Sequence, residues 1–206
     1  MKMNSQSKLL LYLGIVIISY VILAFIAPIS LKLGYPNFAN PLYSTFEKFC
    51  HQRVERSLFI FGEKSFYSIL ELKEKQYLPQ TNNDEVYLEY FGHDFNGNEE
   101  VGYKVAICIR DVGLYLAFGI SLIILSFKNK VTFLNRYEYL LIAPIFIDIG
   151  LQLIIEINKL DGIYLVYENN IEKRIVTGIL AGVGCALLLK RYLDISLTNQ
   201  EKIGNI

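Results

Sequence analysis

Two short stretches set chemically able side chains beside one another. The first is Cys50-His51-Gln52-Arg53, with Arg56 shortly after; the second is Cys108-Ile109-Arg110-Asp111-Val112-Gly113-Leu114-Tyr115. A thiol flanked by imidazole and guanidinium groups has surroundings that favour the thiolate, and so nucleophilicity. Cys50, His51 and Cys108, with Asp111 or Glu156, are also donor types that bind a metal ion, although the close Cys-x-x-Cys or His-x-x-x-His spacing of common zinc sites is missing. A disulfide between Cys50 and Cys108 is a further reading if both face an oxidising compartment. Arg53, Arg56 and Arg174 bring the planar fork that holds phosphate or carboxylate through paired hydrogen bonds. Asp111, Asp148 and Glu156 suit the anchoring of those arginines or, with a pKa raised in a dry setting, acid–base chemistry and proton relay.

The elements that must position these groups belong to a membrane protein. The chain has 206 residues, 53% of them hydrophobic and 19% charged, with a mean hydropathy of +0.34. That is more apolar than a soluble domain, in which charged residues run near ~25%. The net charge is zero and gives no electrostatic footprint for nucleic acid. Three cysteines are too few to staple a small fold.

Four apolar runs follow one another. Leu9–Ala27 carries no charge and is read as an uncleaved first membrane helix ended by Pro28. Val105–Phe127 is the second, with Arg110 and Asp111 just inside it. Charged groups cost several kcal/mol each in hydrocarbon and persist mainly where the protein uses them. Tyr139–Ile157 is the third; Asp148, Gln152 and Glu156 recur every four residues and share one face. Ile171–Leu189 is the fourth, stopped by Lys190 and Arg191, with Gly178 and Gly182 forming a small-xxx-small pair for close helix approach. Between the first two runs, Leu31–Asn40 reads as a loop and Leu42–Phe61 as an amphipathic interfacial helix carrying the Cys50 motif, with Pro41 in its first turn. A polar insert spans 62–104. Within it, Ser68–Tyr77 reads as a short helix, and Val86–Tyr90 is expected to pair with Val101–Val105 as a hairpin. Asp94-Phe95-Asn96-Gly97-Asn98 resembles the start of a calcium loop but has Glu99 where such loops need glycine and Val105 where they need glutamate. The expected architecture is thus an all-α membrane protein, four transmembrane helices with an interfacial amphipathic helix and a small extracytoplasmic α+β insert, in one domain of residues 1–206.

Lysine and arginine set the orientation. With the amino end inside, the inner flanks hold Lys2, Lys8, Lys128, Lys130, Arg136, Lys190, Arg191 and Lys202, against Lys159, Lys173 and Arg174 outside. Both termini are therefore predicted in the cytoplasm and the insert outside the cell membrane. At ~1.5 Å per residue, Cys108 and Asp111 fall within ~10 Å of the outer boundary, Tyr115 about a turn deeper, Asp148 near mid-membrane and Glu156 near the outer surface. Cys108, Asp111 and Tyr115 share a stripe, while Arg110 points elsewhere and is expected to snorkel outward.

These motifs also carry a resemblance. Cys50-His51-Gln52-Arg53 with Arg56-Ser57, Cys108-Ile109-Arg110-Asp111-Val112-Gly113-Leu114-Tyr115, Asp148 with Gln152, and Arg174-Ile175-Val176-Thr177-Gly178 are similar to signatures of a family of small polytopic membrane proteins, domain of unknown function 2085. In that pattern the two cysteine motifs usually lie close together, whereas here the polar insert separates them. The family brings no reaction to carry over; the resemblance strengthens the site and not its chemistry.

The sequence therefore leads to an integral membrane protein with an outward-facing polar site for a lipid or isoprenoid headgroup, or another small anionic ligand. Its candidate catalytic groups are Cys50, His51, Asp111 and Asp148; its candidate ligand-binding groups are Arg53, Arg56, Cys108, Tyr115, Gln152, Glu156 and Arg174. A metal held by Cys50, His51 or Cys108 is the cofactor reading. The alternatives are a small proton-coupled transporter and a structural or partner-binding membrane protein. These groups are expected to converge on one hollow.

Overall fold

The computed structural model describes residues 4–77, 94–128, 137–158 and 170–204. Its elements, in chain order, are α1 (Ser5–Lys32), α2 (Pro36–Glu47), a 3-10 turn (Val54–Arg56), β1 (Ser57–Ile60), α3 (Ile69–Glu74), β2 (Gly97–Asn98), β3 (Gly102–Cys108), α4 (Ile109–Ser126), α5 (Glu138–Ile157) and α6 (Ile171–Gly204). Helices α1, α4, α5 and α6 are long and apolar enough to cross a membrane. The protein is an all-α membrane bundle with an amphipathic helix and a small sheet at one end.

Several boundaries differ from expectation, each for a local reason. Pro28 does not end α1. The helix continues to Lys32, and the stop is Gly34, whose φ of +79° supplies the left-handed turn. The N–H of Gly34 bonds to the Leu31 carbonyl at 3.0 Å, and that of Tyr35 to Ser30 at 2.9 Å. The residues expected as a loop before Pro41 form the first half of α2, begun by Pro36, so Pro41 lies inside the helix. Helix α2 is the amphipathic element but ends at Glu47; the Cys50–Arg53 motif follows it in non-helical backbone. At the other end, Lys190 and Arg191 do not stop α6, which runs on to Gly204.

The largest difference concerns the start of the second span. Val105–Cys108 is strand, not helix. Strand β3 is central in the order β1-β3-β2, both neighbours antiparallel. Val105, Ala106 and Ile107 are all buried, because α1 and α2 cover one side of β3. A strand buried on both faces reads as a continuous apolar run, and periodicity alone cannot part it from the helix that follows. The partners of β3 are Ser57–Ile60 and Gly97–Asn98; the expected Val86–Tyr90 lies outside the described residues. The calcium-like stretch leads into the β2–β3 hairpin and ends in β2 itself. There the Asn98 side chain accepts the N–H groups of Glu100 and Val101, both at 2.9 Å, so that carboxamide is spent on the turn.

Among the described residues there are three apolar cores. One joins α1, α2, β3 and α4 through residues such as Val21, Phe46, Ile107 and Val112. A second lies under the sheet, with Val54, Phe59, Tyr67 and Leu72. A third closes the far end with Leu10, Leu122, Leu125 and Leu187. Helix α4 is the axis. It meets α1 where Gly14 and Gly119 face each other, and α6 where Gly178 lies against the Arg110 carbonyl and Gly182 against the Leu114 carbonyl. Small residues at such crossings let backbones approach and gain dispersion contacts, which replace the hydrophobic drive absent in lipid. Helix α5 is different: it packs on α6, and its Phe146, Ile147, Leu153 and Ile154 are exposed.

A methyl group at position 178 or 182 would collide with backbone of α4, whereas Gly150 has open space around its missing Cβ. We expect Gly178→Ala and Gly182→Ala each to lower the stability of the detergent-solubilised protein, by ~1–3 kcal/mol as overpacking usually costs. Gly150→Ala should be neutral or slightly stabilising. Thermal unfolding of the three variants checks this, and equal midpoints would rule out the close α4–α6 crossing.

Candidate functional site

Cys50, Cys108, Asp111 and Tyr115 gather in one group at the sheet end of the bundle, and Arg56, Asp148 and Gln152 fall in a second, rather than all in one hollow. The first forms where the Cys50 loop folds back over the start of α4. In the antiparallel register Ser57 lies opposite Cys108, so the chain preceding β1 runs over the residues that follow β3. Cys50 Sγ accepts the backbone N–H of Cys108 at 3.2 Å. Cys108 is the N-cap of α4, and Asp111 one turn later points to the same side. Ligand atoms of Cys50, Cys108 and Asp111 all lie within 4.8 Å of one another. Aromatic rings wall this group: Tyr20 meets Tyr115 edge-on at 5.3 Å and Phe46 at 5.0 Å. The three cysteines are free thiols.

The two thiols are unlike. A hydrogen bond from the Cys108 thiol holds Cys50 below the ordinary thiol range, against the opposing pull of burial and Asp111. The same bond, with burial, pushes Cys108 well above it. Cys50 is thus the first of the pair to become a thiolate, stabilised by the Cys108 N–H and the positive end of α4. His51, although adjacent in sequence, is exposed and belongs to neither group. Successive residues in this non-helical segment point apart, and Gln52 takes the inward position instead.

Gln52 fixes the loop. Its backbone is left-handed, φ +48°, a conformation that costs a non-glycine residue free energy and must be held. Its Nε2 donates to the Tyr43 carbonyl at 2.8 Å, and its own carbonyl accepts from Lys104 Nζ at 2.7 Å. Tyr43 Oη in turn donates to the Lys104 carbonyl, and burial pushes its phenol up. Lys104 is fully buried, with Glu55, Cys50 and Asp94 as its acidic neighbours; desolvation outweighs them and lowers its pKa to about 7.

The second group is ionic and centres on α5. Asp148, 2% exposed, pairs with Arg110 of α4 and with Lys173 of α6, the latter at 2.7 Å. Arg110, expected to snorkel away, points inward because Asp148 lies across from it. One turn along α5, the Gln152 amide oxygen, in the orientation that satisfies both residues, accepts from Arg56 Nη1 at 3.0 Å and Nη2 at 2.7 Å. Arg56 also lies 3.9 Å from the buried carboxylate of Glu55. Arg174 is buried at the start of α6, its carbonyl accepting from Thr177 Oγ1 at 3.2 Å. The carbonyl of Arg53 accepts from Ser57 Oγ at 2.7 Å. The side chain of Glu156 lies outside the described residues, as do residues 129–136 and 159–169.

Sequence reasoning missed Gln52, Tyr43, Lys104, Lys173 and Tyr20 as parts of these groups. Lys173 sits one residue from Arg174 and, like Arg110, could have been paired with Asp148 by charge alone. Lys104 had no such signal, since a lysine in a polar insert reads as solvated until the sheet buries it. A shallow groove of about 180 Å³ beside α2, lined by Asn40, Tyr43, Ser44, Glu47, Gln52, Asp94 and Asn96, contains none of the predicted residues.

Lys104 makes stability depend on pH in a defined sense. Its pKa falls from 10.5 in the free side chain to about 7 in the fold, so between these values the unfolded chain binds the additional proton. Stability then rises with pH across that window, and the cost of burying the ammonium is full below it. From pH 7 to 9 the unfolding midpoint of the wild type should climb relative to that of Lys104→Met. A constant difference between the two curves would mean that Lys104 is charged in the fold.

No curated protein and no solved structure matches the chain. Residues 101–188, from the turn before β3 into α6, match the family model described as "Predicted membrane protein (DUF2085)". The matched segment holds Cys108, Arg110, Asp111, Asp148, Gln152, Lys173, Arg174 and the two α6 glycines, so the resemblance to that family of membrane proteins is carried by the residues that build both groups.

Proposed function

We propose that this integral membrane protein binds the anionic headgroup of a lipid or isoprenoid at the ionic group, in the extracytoplasmic leaflet of the cell membrane. One observation carries the reading: among the described residues, α5 is joined to α4 through Arg110 and Asp148, while its packing is on α6. A polar bridge between two spans, beside an α5 face rich in exposed aliphatic and aromatic side chains, suits a ligand with a charged head and an apolar tail arriving sideways from the bilayer. Arg56, Arg110 and Lys173 supply charge-assisted donors, with Asp148 holding Arg110 and Lys173 and Gln152 holding Arg56; Arg174 is buried at the start of α6. Among the described residues, the midsections of α4 and α6 between this group and the Lys190–Asp194 and Arg191–Glu138 pairs of the opposite end carry no charged side chain, which favours a binding site over a proton-coupled carrier. Lys8, Lys128, Lys190 and Arg191 cluster on the flanks away from this group, and the positive-inside rule supports a cytoplasmic side there, with both termini on it.

Arg56 and Lys173 are the cations to change, because neither is fully buried. In native mass spectrometry from mixed micelles, the wild type should retain phosphatidylglycerol in preference to phosphatidylcholine. Arg56→Gln combined with Lys173→Gln should reduce that preference about tenfold, the effect of ~1.4 kcal/mol from lost charge-assisted bonds. No preference in a folded wild type refutes the headgroup reading. A carboxyl-terminal reporter fusion tests the orientation and should be active only as a cytoplasmic reporter.

A further inference from the structure

We propose that Cys50, Cys108 and Asp111 form a binding site for a divalent metal ion of borderline softness, zinc above all, on the sheet side of the membrane. The proposal is independent of the headgroup reading, since it uses the other face of α4.

Three observations support it. The donor atoms lie within 4.8 Å of one another. Ligands around a tetrahedral ion at ~2.0–2.3 Å are separated by less than that, so small side-chain movements close the set. The groups come from two segments whose relative position the sheet fixes: Cys108 ends β3, Asp111 lies one turn into α4, and Cys50 is held over both by Gln52 and Lys104. The backbone N–H of Cys108 already donates to Cys50 Sγ at 3.2 Å, the kind of outer-shell bond that orients a metal-bound sulfur and offsets its charge.

Electrostatics point the same way. Asp111 brings a carboxyl group set among two sulfurs and the rings of Tyr20 and Tyr115. The nearest cation in sequence, Arg110, is committed to Asp148. Two thiols and a carboxylate in a partly buried pocket repel one another as they ionise, and a divalent cation converts that repulsion into attraction. Binding releases the thiol protons into solvent; two thiolates and one carboxylate on a divalent ion make a centre of net charge −1, with a fourth position for water or a substrate atom. An open fourth position is the mark of a zinc site that can do chemistry rather than only brace a fold. Thiolate donors select zinc over magnesium or calcium.

The full-length protein, purified under reducing conditions and freed of metal by a chelator, is titrated with Co²⁺ and then Zn²⁺. We expect one equivalent of Co²⁺ to give thiolate-to-metal charge-transfer absorption in the near ultraviolet, and Zn²⁺ to displace it. Cys50→Ser and Cys108→Ser should each weaken binding by more than 100-fold and Asp111→Asn by about tenfold, while Cys185→Ser leaves it unchanged. Thermal unfolding and gel filtration show which variants are folded, and Asp111→Asn keeps the test decisive if a cysteine variant is not. Absence of the charge-transfer band in reduced, folded wild type overturns the proposal, as does a band that survives in folded Cys50→Ser. It also fails if thiol titration finds Cys50 and Cys108 disulfide-bonded and reduction restores no metal binding.

Discussion

Asp148 must be neutralised inside a bilayer, and much of the arrangement at the sheet end follows from that. An unpaired carboxylate in a membrane span is costly, by insertion scales about 2.5–3.5 kcal/mol at a helix centre. Arg110 reaches it from α4 and Lys173 from α6, so one buried charge on the loosely packed span recruits cations from two others. Removing one member of such a group leaves an uncompensated charge, which costs more than the pair contributes. The ionic group therefore sets where α5 stands, even though α5 shares its packed interface with α6. It also fixes how far α5 slides along the bundle, because Gln152, one turn on, must meet Arg56.

The second organising feature is the passage from β3 directly into α4 with no loop between them. A strand tied on both edges is stiff, and its last residue caps the helix, so the sheet dictates the position of the first turn of α4. Arg110 and Asp111 are neighbours there, yet a turn of ~100° separates them. One looks to Asp148, the other to the thiols of Cys50 and Cys108. Adjacent charges of opposite sign are thereby kept from satisfying each other, and each serves a different group. The close crossings at Gly14–Gly119 and Gly178–Gly182 hold α4 in that rotation; a small twist of the helix would part both sets at once.

The Cys50 loop shows the same economy. Gln52 takes an unfavourable backbone conformation and a fully buried lysine stands behind it. Either alone would be a cost. Together they supply donors and acceptors to each other and to Tyr43, so the strain is held by a satisfied polar network, which in a low-dielectric interior is stiff. That network aims Cys50 at Cys108 and leaves His51 at the surface.

How much of this was legible in the sequence depends on the range of the forces involved. Four spans, the amphipathic segment, the small-residue faces and the two motifs are local: they are written in hydropathy, helical spacing and residue type. Asp148 and Gln152 sharing a face follows from a four-residue interval, and the expectation that the polar groups gather toward one end follows from depth counted along each span. Pairing was not legible. That Arg110 turns to Asp148, that β3 joins β1 across the insert, and that Gln52 rather than His51 faces inward each depend on contacts between segments far apart in the chain. The apolar run around Cys108 illustrates the limit: its composition fits helix and buried strand equally, and only the presence of Ser57–Ile60 alongside decides between them. Composition and periodicity alone determined that this chain lives in a membrane with its reactive side chains near one end. Tertiary structure decided how those side chains are divided, because hydrogen-bond and ion-pair partners are chosen by proximity in space, which no single segment carries.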